Sequence, residues 1–299
     1  MISIALLGPT EVRVDDQLVP AAQLGGRPRQ ILEVLALDAG SAVPKDRLAD
    51  LLWDGEPPAS YMGTLESYVC VLRRRLGLAS GRRSALATTS SGYLLDPSAV
   101  NVDVLEFRRL LARAASAGAA DVVATTVEAL QLVRGELLAD EPYAAWAIRA
   151  RDVFVREAVA ACVRAAQLAS AIGDFTHALQ LAQWAVDHDR LREAGWQHLI
   201  RVHWLTGHRS DALRAYAELR AVLLDELGEE PGGESQELYL AILRDLPATR
   251  VQSPTDEVGE LRTLMVLLRQ VLDALPGVGA PPTDAALTAV ASRVLAQTG

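Results

Sequence analysis

Alternation and helical spacing divide the chain into segments of distinct kind. At the start, ISIALLG and EVRVD are apolar or alternating, as short strands are. They are broken at Gly8-Pro9 and at Asp15-Asp16, a pair suited to a hairpin turn. After Gly25-Gly26 the spacing becomes helical: RPRQILEVLALDAG sets Ile31, Leu32, Leu35 and Ala36 toward a core and stops at Gly40. KDRLADLLW predicts a second short helix carrying Leu48, Leu51 and Leu52, and Pro57-Pro58 keeps the following DGEPPASYMG out of helix. TLESYVCVLRRRLG, residues 64–77, predicts a third, with Thr64 near its N-cap and Gly77 at its end. On a wheel, its Leu65, Val69, Leu72 and Leu76 fall within about 60° of one another. Finally, ALATTSSGYLLD alternates on both sides of Ser90-Ser91-Gly92, as a β-hairpin does.

Strands, three helices and a closing hairpin are the order of a winged helix-turn-helix, whose third helix enters the DNA major groove while the hairpin lies against the backbone or minor groove. The wheel agrees. Ser67, Cys70, Val71 and Arg74 lie opposite the apolar stripe with Thr64 nearby, and Arg73 and Arg75 sit on the flanks, where phosphates would be. The plainer account is a surface helix whose basic end complements its own dipole, an effect of about 0.3–1 kcal/mol. That account leaves the order of the neighbouring elements unexplained.

From residue 101 prolines become rare, and alanine- and leucine-rich amphipathic segments follow one another. GDFTHALQLA and GHRSDALRAY place Gly173/Gly207, Ala178/Ala212 and Leu179/Leu213 each 34 residues apart, the length of a tetratricopeptide helix pair. Segments 104–134 and 143–171 read as degenerate earlier units. Such stacks bind partners or package an interface. Residues 225–237, DELGEEPGGESQE, hold six acids and no base, turn at Pro231-Gly232-Gly233, and lead through LYLAIL into a closing helix. After a polar linker at 247–257, EVGELRTLMVLLRQVLDAL predicts one more amphipathic helix with Leu261, Leu264, Leu268, Val271, Leu272 and Leu275 on its apolar side. It could pair with a copy of itself or cover its own helical domain, the arrangement favoured here. The expected fold is mainly α with small β elements. A winged helix-turn-helix occupies residues 1–96, an all-α tetratricopeptide-like domain 101–246, and a linker with a helical extension 247–299.

Charge narrows the picture. The 299 residues carry a net charge of −9, and residues 1–100 hold 10 basic against 11 acidic side chains. Any nucleic-acid site is therefore a patch rather than a global field. The patch is residues 73–83, five arginines with no acid. All basic residues but Lys45 are arginine, so one arginine alone says little. No run of about 18 apolar residues is present to span a membrane. Cys70 and Cys162 have no metal or disulfide spacing. A soluble, reduced, cytoplasmic protein is expected.

Together and in order, LLGPTEVRVDDQLVP, RPRQILEVLAL, KDRLADLLW, TLESYVCVLRRRLG and GYLLD resemble the OmpR-type DNA-binding domain of the Streptomyces antibiotic regulatory protein family. VDVLEFRRLL, RGELLADEP and LREAGWQHLIRVHWLTGHRSDALRAYAELRAVLLDELGEEPG resemble its bacterial transcriptional activator domain. The resemblance runs to about residue 246. It implies a transcription activator of a secondary-metabolite (antibiotic) gene cluster. Such a protein binds direct repeats of double-stranded DNA near a promoter's −35 region, with protomers side by side, and recruits RNA polymerase holoenzyme. By the same resemblance Thr64, Ser67, Tyr68, Val71 and Arg74 match groove- or base-facing positions, and Arg73 and Arg75 match phosphate-contacting ones. The loop from Trp53 to Tyr61, with Asp54 and Glu56, matches the polymerase-facing position. The wheel differs only at Tyr68, which it places nearer the buried flank. The hairpin tip, TTSSGY, lacks the arginine that many wings insert in the minor groove, so Thr88, Thr89 and Tyr93 are expected to touch backbone alone, with Arg82 and Arg83 adding phosphate contacts.

Other classes find less support. GxxxxGKS/T, GxSxG, HExxH and GxGxxG are all missing, and no nucleophile and base stand together, so no catalysis, metal or cofactor is expected. His177, His188, His198, His203 and His208 read as structural. The rival is a protein-interaction adaptor on the same two scaffolds, which would show no duplex affinity.

Overall fold

Asp15 and Asp16 both take left-handed backbone, at φ 49° and 65°. Short polar side chains tolerate that region. The turn folds β2 (Glu11–Val14) onto β3 (Gln17–Val19), and β1 (Ile2–Ala5) pairs antiparallel with β2. A fourth strand that the sequence pattern did not announce, β7 (Val100–Val102), joins β1 in parallel, Ile2 opposite Val100 and Ile4 opposite Val102. This computed structural model describes residues 2–79, 84–114 and 117–244. The helix expected within 257–275 lies outside them.

Between these strands stand α1 (Ala21–Leu24), α2 (Gly26–Leu37), α3 (Lys45–Leu52) and α4 (Tyr61–Arg75). Their apolar stripes meet: Ile31, Leu32, Leu35, Ala36, Leu48, Leu52, Leu65 and Leu72 are all fully buried. Each leucine-sized side chain there contributes roughly 1.5–3 kcal/mol. α4 begins three residues before Thr64, with Ser60 as its N-cap.

The wing is a three-stranded sheet in the order β4 (Val43–Pro44), β6 (Gly92–Leu95), β5 (Leu86–Thr88). It requires Gly92. A Cβ there would stand 1.9 Å from the Val43 carbonyl oxygen and 2.8 Å from Pro44 Cα. Only a residue without a side chain lets β4 and β6 approach this closely.

α5 (Asp103–Ala114), α6 (Ala119–Leu130) and α7 (Ala145–Ala171) follow. The described chain clusters into two compact units: Met1–Ser116 with Glu128–Arg156, and Ala117–Val127 with the chain from Glu157 onward. In the first, the Asp103 carboxylate accepts from the amides of Leu6 and Leu7 at 2.8–2.9 Å, and the Arg134 and Leu138 amides donate to the carbonyls of Leu7 and Leu6.

The second unit contains two helix hairpins, α8 (Phe175–His188) with α9 (Glu193–Leu205) and α10 (Arg209–Leu227) with α11 (Gly233–Arg244). They repeat at the 34-residue period. Gly173 and Gly207 enter them at φ 79° and 80°, and Ala178 and Ala212 are fully buried.

Candidate nucleic-acid interface

α4 is sorted by its own periodicity. Leu65, Val69 and Leu72 are fastened to the core, which turns Glu66, Ser67, Cys70 and Arg74 outward into solvent, with Arg75 exposed at the helix end. Thr64, Tyr68, Val71 and Arg73 are half-buried along the edges. Tyr68 takes the flank position that the wheel assigned to it. Thr64 and Ser67 donate their hydroxyls to the carbonyls of Ser60 and Gly63, one turn back. Each oxygen keeps lone pairs for an incoming donor.

Three neighbouring arginines have different surroundings. Arg74 and Arg75 are exposed. Arg73 turns inward: its Nε and Nη2 donate to the Leu86 carbonyl at 3.1 and 2.8 Å, and Nη2 also donates to Thr88 Oγ1 at 2.7 Å. Arg73 and Thr88, expected on phosphates, are thus joined to each other and fix the wing to the end of α4. Thr89 serves the hairpin tip, its hydroxyl accepting from the Gly92 amide at 3.0 Å. Tyr93 is 2 % exposed, and burial raises its hydroxyl pKa. Arg82 and Arg83 lie outside the described residues.

Lys45 is the residue that periodicity passed over. Its ammonium stands 2.7 Å from Glu66 Oε1 on α4 and 5.7 Å from the centre of the Tyr93 ring in the wing. The Glu66 bond holds its pKa above the ordinary lysine value. The chain's sole lysine therefore links α3, α4 and β6, and being the exception among arginines was its only signal in the sequence.

The loop before α4 contains the other expected group. Asp54 and Gly55 take left-handed backbone, and Asp54 and Glu56 are exposed. Trp53 is half-buried under the Arg27 guanidinium, 5.8 Å from its ring, and Arg27 also donates to the Leu52 carbonyl. Tyr61 donates to Asp46 Oδ1 at 2.7 Å. The loop is thus braced at both ends with its acids in solvent.

Among the described residues no helix is long and apolar enough to cross a membrane, and no group of histidine, cysteine and carboxylate side chains could hold a metal ion. The arrangement offers a convex helix face of hydroxyl, thiol and guanidinium groups beside an anchored hairpin.

Comparison with known proteins places both halves. Residues 20–95 match the family described as transcriptional regulatory protein, C terminal, and residues 102–243 match the bacterial transcriptional activator domain. The regulatory protein DnrI of Streptomyces peucetius is 34% identical over 266 residues, covering 85% of this chain and 96% of that protein. The transcriptional regulator RedD of Streptomyces coelicolor is 29% identical, covering 84% and 73%. The chain also matches the solved structure of Mycobacterium tuberculosis EmbR in complex with a low affinity phosphopeptide, with a TM-score of 0.70 and 27% identity over 91% of this chain and 71% of that one.

Proposed function

The chain belongs to the Streptomyces antibiotic regulatory protein family of transcriptional regulators, and on that premise we propose that it binds specific promoter DNA through α4 and activates transcription there. The observation that carries this reading is the orientation of α4. Its apolar stripe is wholly in the core, its exposed face presents Ser67, Cys70 and Arg74, and Arg73 and Lys45 hold the wing beside it. In this reading Arg74 meets a base edge, where a guanidinium bonded to guanine is the commonest specific contact, and Thr64, Ser67, Tyr68 and Val71 fill the groove around it. Arg75 meets phosphate with Arg82 and Arg83, and the wing edge at Thr88 and Thr89 follows the backbone. Arg73, Lys45 and Tyr93 act as positioning residues.

The finer expectations rest on the family. Two protomers would sit side by side on direct repeats near the −35 element, and the braced loop with Trp53, Asp54, Glu56 and Tyr61 would face RNA polymerase. Membership of this family supports a target among antibiotic biosynthetic genes. A gel shift on the promoters flanking this gene, titrated from roughly 50 to 200 mM salt, tests the reading. A discrete complex is expected, its log–log salt slope steepening by about 0.9 per phosphate contact. No shift on any duplex by folded protein would favour the adaptor.

A further inference from the structure

We propose that the outer face of the α10–α11 hairpin is the docking surface for this chain's own residues 257–275, which close the end of the helical stack. In such a stack each hairpin is covered by the next, and the last needs a cap with a polar outer side. α10–α11 is the last hairpin among the described residues, and its outer face is apolar. A groove of about 380 Å³ runs along it, lined by Leu213, Tyr216, Ala217, Ala221, Leu224 and Tyr239. Tyr216 and Tyr239 stack at 4.3 Å to form part of its floor. Leu224 in that lining is 53 % exposed, and Leu227, Leu240 and Leu243 elsewhere on the same two helices are 52, 43 and 38 % exposed, large apolar side chains of the kind that mark an interaction surface. On the rim, Arg220 is already engaged by Glu230 through two bonds of 2.6 Å, so the groove itself is left to apolar contact.

Chain length and pattern name the occupant. α10 has 19 residues, about 28 Å at 1.5 Å per residue. Residues 257–275 are also 19, with Leu261, Leu264, Leu268, Val271, Leu272 and Leu275 forming one apolar stripe at helical spacing. The connection from Arg244, residues 245–256, spans up to roughly 40 Å when extended. It therefore reaches either end of α10 without strain. A segment tethered this closely meets the groove at an effective concentration near the millimolar range, which favours it over a second copy of the chain.

Disulfide trapping in the full chain tests this. Cys70 is exposed and is replaced by serine, whereas Cys162 is buried, where its thiol is pushed up to about 12 and stays unreactive. Ala217→Cys is combined with Leu268→Cys, and Thr176→Cys with Leu268→Cys is the control, since Thr176 is exposed on α8. Under mild oxidation the first pair closes within one chain at least about tenfold faster than the control, as tethering predicts. Disulfide-linked dimers would assign the groove to a second copy and overturn the proposal, as would equal rates for the two pairs. Hydrogen exchange on the unaltered chain gives an independent reading. Protection across 257–275, lost in Leu264→Glu/Leu268→Glu, is expected, and unprotected exchange there would sink the idea.

Discussion

In the winged-helix unit the decisive bonds join residues about a hundred positions apart, whereas in the repeats most join residues within one or two turns. Asp103 accepts from Leu6, Arg29 reaches Glu141, and the Thr10 amide donates to Asp140, at separations of 97, 112 and 130 residues. In the repeats, Asp174 caps its own helix at His177, and the Trp196 indole donates to Arg190 six residues back. Glu193, which accepts from Gly232 and Ser235, is a bridge between successive hairpins. Non-local bonds concentrate the fold in a few positions, and repeats distribute it. The first unit should therefore be the more brittle.

Matched glycines are the strongest way to break that comparison. At Gly92 a Cβ meets rigid backbone at 1.9 Å, while at Gly195 it meets Ala185 Cβ and Val186 Cγ2 at 3.4 Å, near ordinary contact. Gly92→Ala should cost about 3 kcal/mol or more and Gly195→Ala less than about 1 kcal/mol, read from urea unfolding of each full chain. Equal, mild losses would mean that β4 and β6 do not pair as described.

Acidity should separate the units next, because each buries a titrating group of opposite kind. Glu33 is fully buried, with Thr10 donating to its Oε1 at 2.7 Å; Arg29 Nε stands 3.3 Å from the same oxygen as an ion pair without a hydrogen bond, and Oε2 has no partner. Desolvation outweighs the arginine and pushes the carboxyl from 4.5 up to about 7. The folded state then holds a proton that the unfolded state releases, so this contribution is complete below pH 4.5 and is lost as pH rises to about 7. His198 on α9 runs the other way. Burial lowers it from 6.5 to about 4, so its contribution is complete above pH 6.5 and is lost as pH falls to about 4. Thermal unfolding across this range should show Glu33→Gln removing the loss on the alkaline side, about 3 kcal/mol, and His198→Gln removing the loss on the acid side. A Glu33→Gln profile parallel to that of the unaltered chain would count against a buried, protonated carboxyl.

What could be read in advance follows the same division. The 34-residue period, the glycines that enter each hairpin and the buried stripe of α4 are local patterns, and each appears in the fold where the spacing placed it. The strand Val100–Val102 was not legible, because what makes it a strand is a parallel partner nearly a hundred residues earlier. The tie from Arg73 to the wing was equally hidden. A wheel places a side chain on the flank of its helix and says nothing of what stands beyond it, whether phosphate or the Leu86 carbonyl. The burial of Tyr93 is the same kind of fact, set by pairing with Val43.

Arg73 and Arg74 sharpen the comparison to adjacent residues, and their effects should be smaller on stability than those of Gly92 and Glu33 and the most informative. Arg73→Ala removes the donors to Leu86 and Thr88, so unfolding should become easier by about 1–2 kcal/mol, and DNA affinity should fall alike for every duplex as the wing loosens. Arg74→Ala removes an exposed side chain outside the core, so the unfolding midpoint should stay in place. Its effect should fall on the ratio of affinities for the cognate promoter and a scrambled duplex at fixed salt, by about tenfold or more if the guanidinium reads a base, since one good bidentate contact discriminates by about 1–3 kcal/mol. Competition gel shifts at one salt concentration measure that ratio for both variants. An unchanged ratio in Arg74→Ala would show that α4 meets DNA by another face. A changed ratio in Arg73→Ala would mean that the wing carries sequence information its threonines and buried tyrosine give no reason to expect.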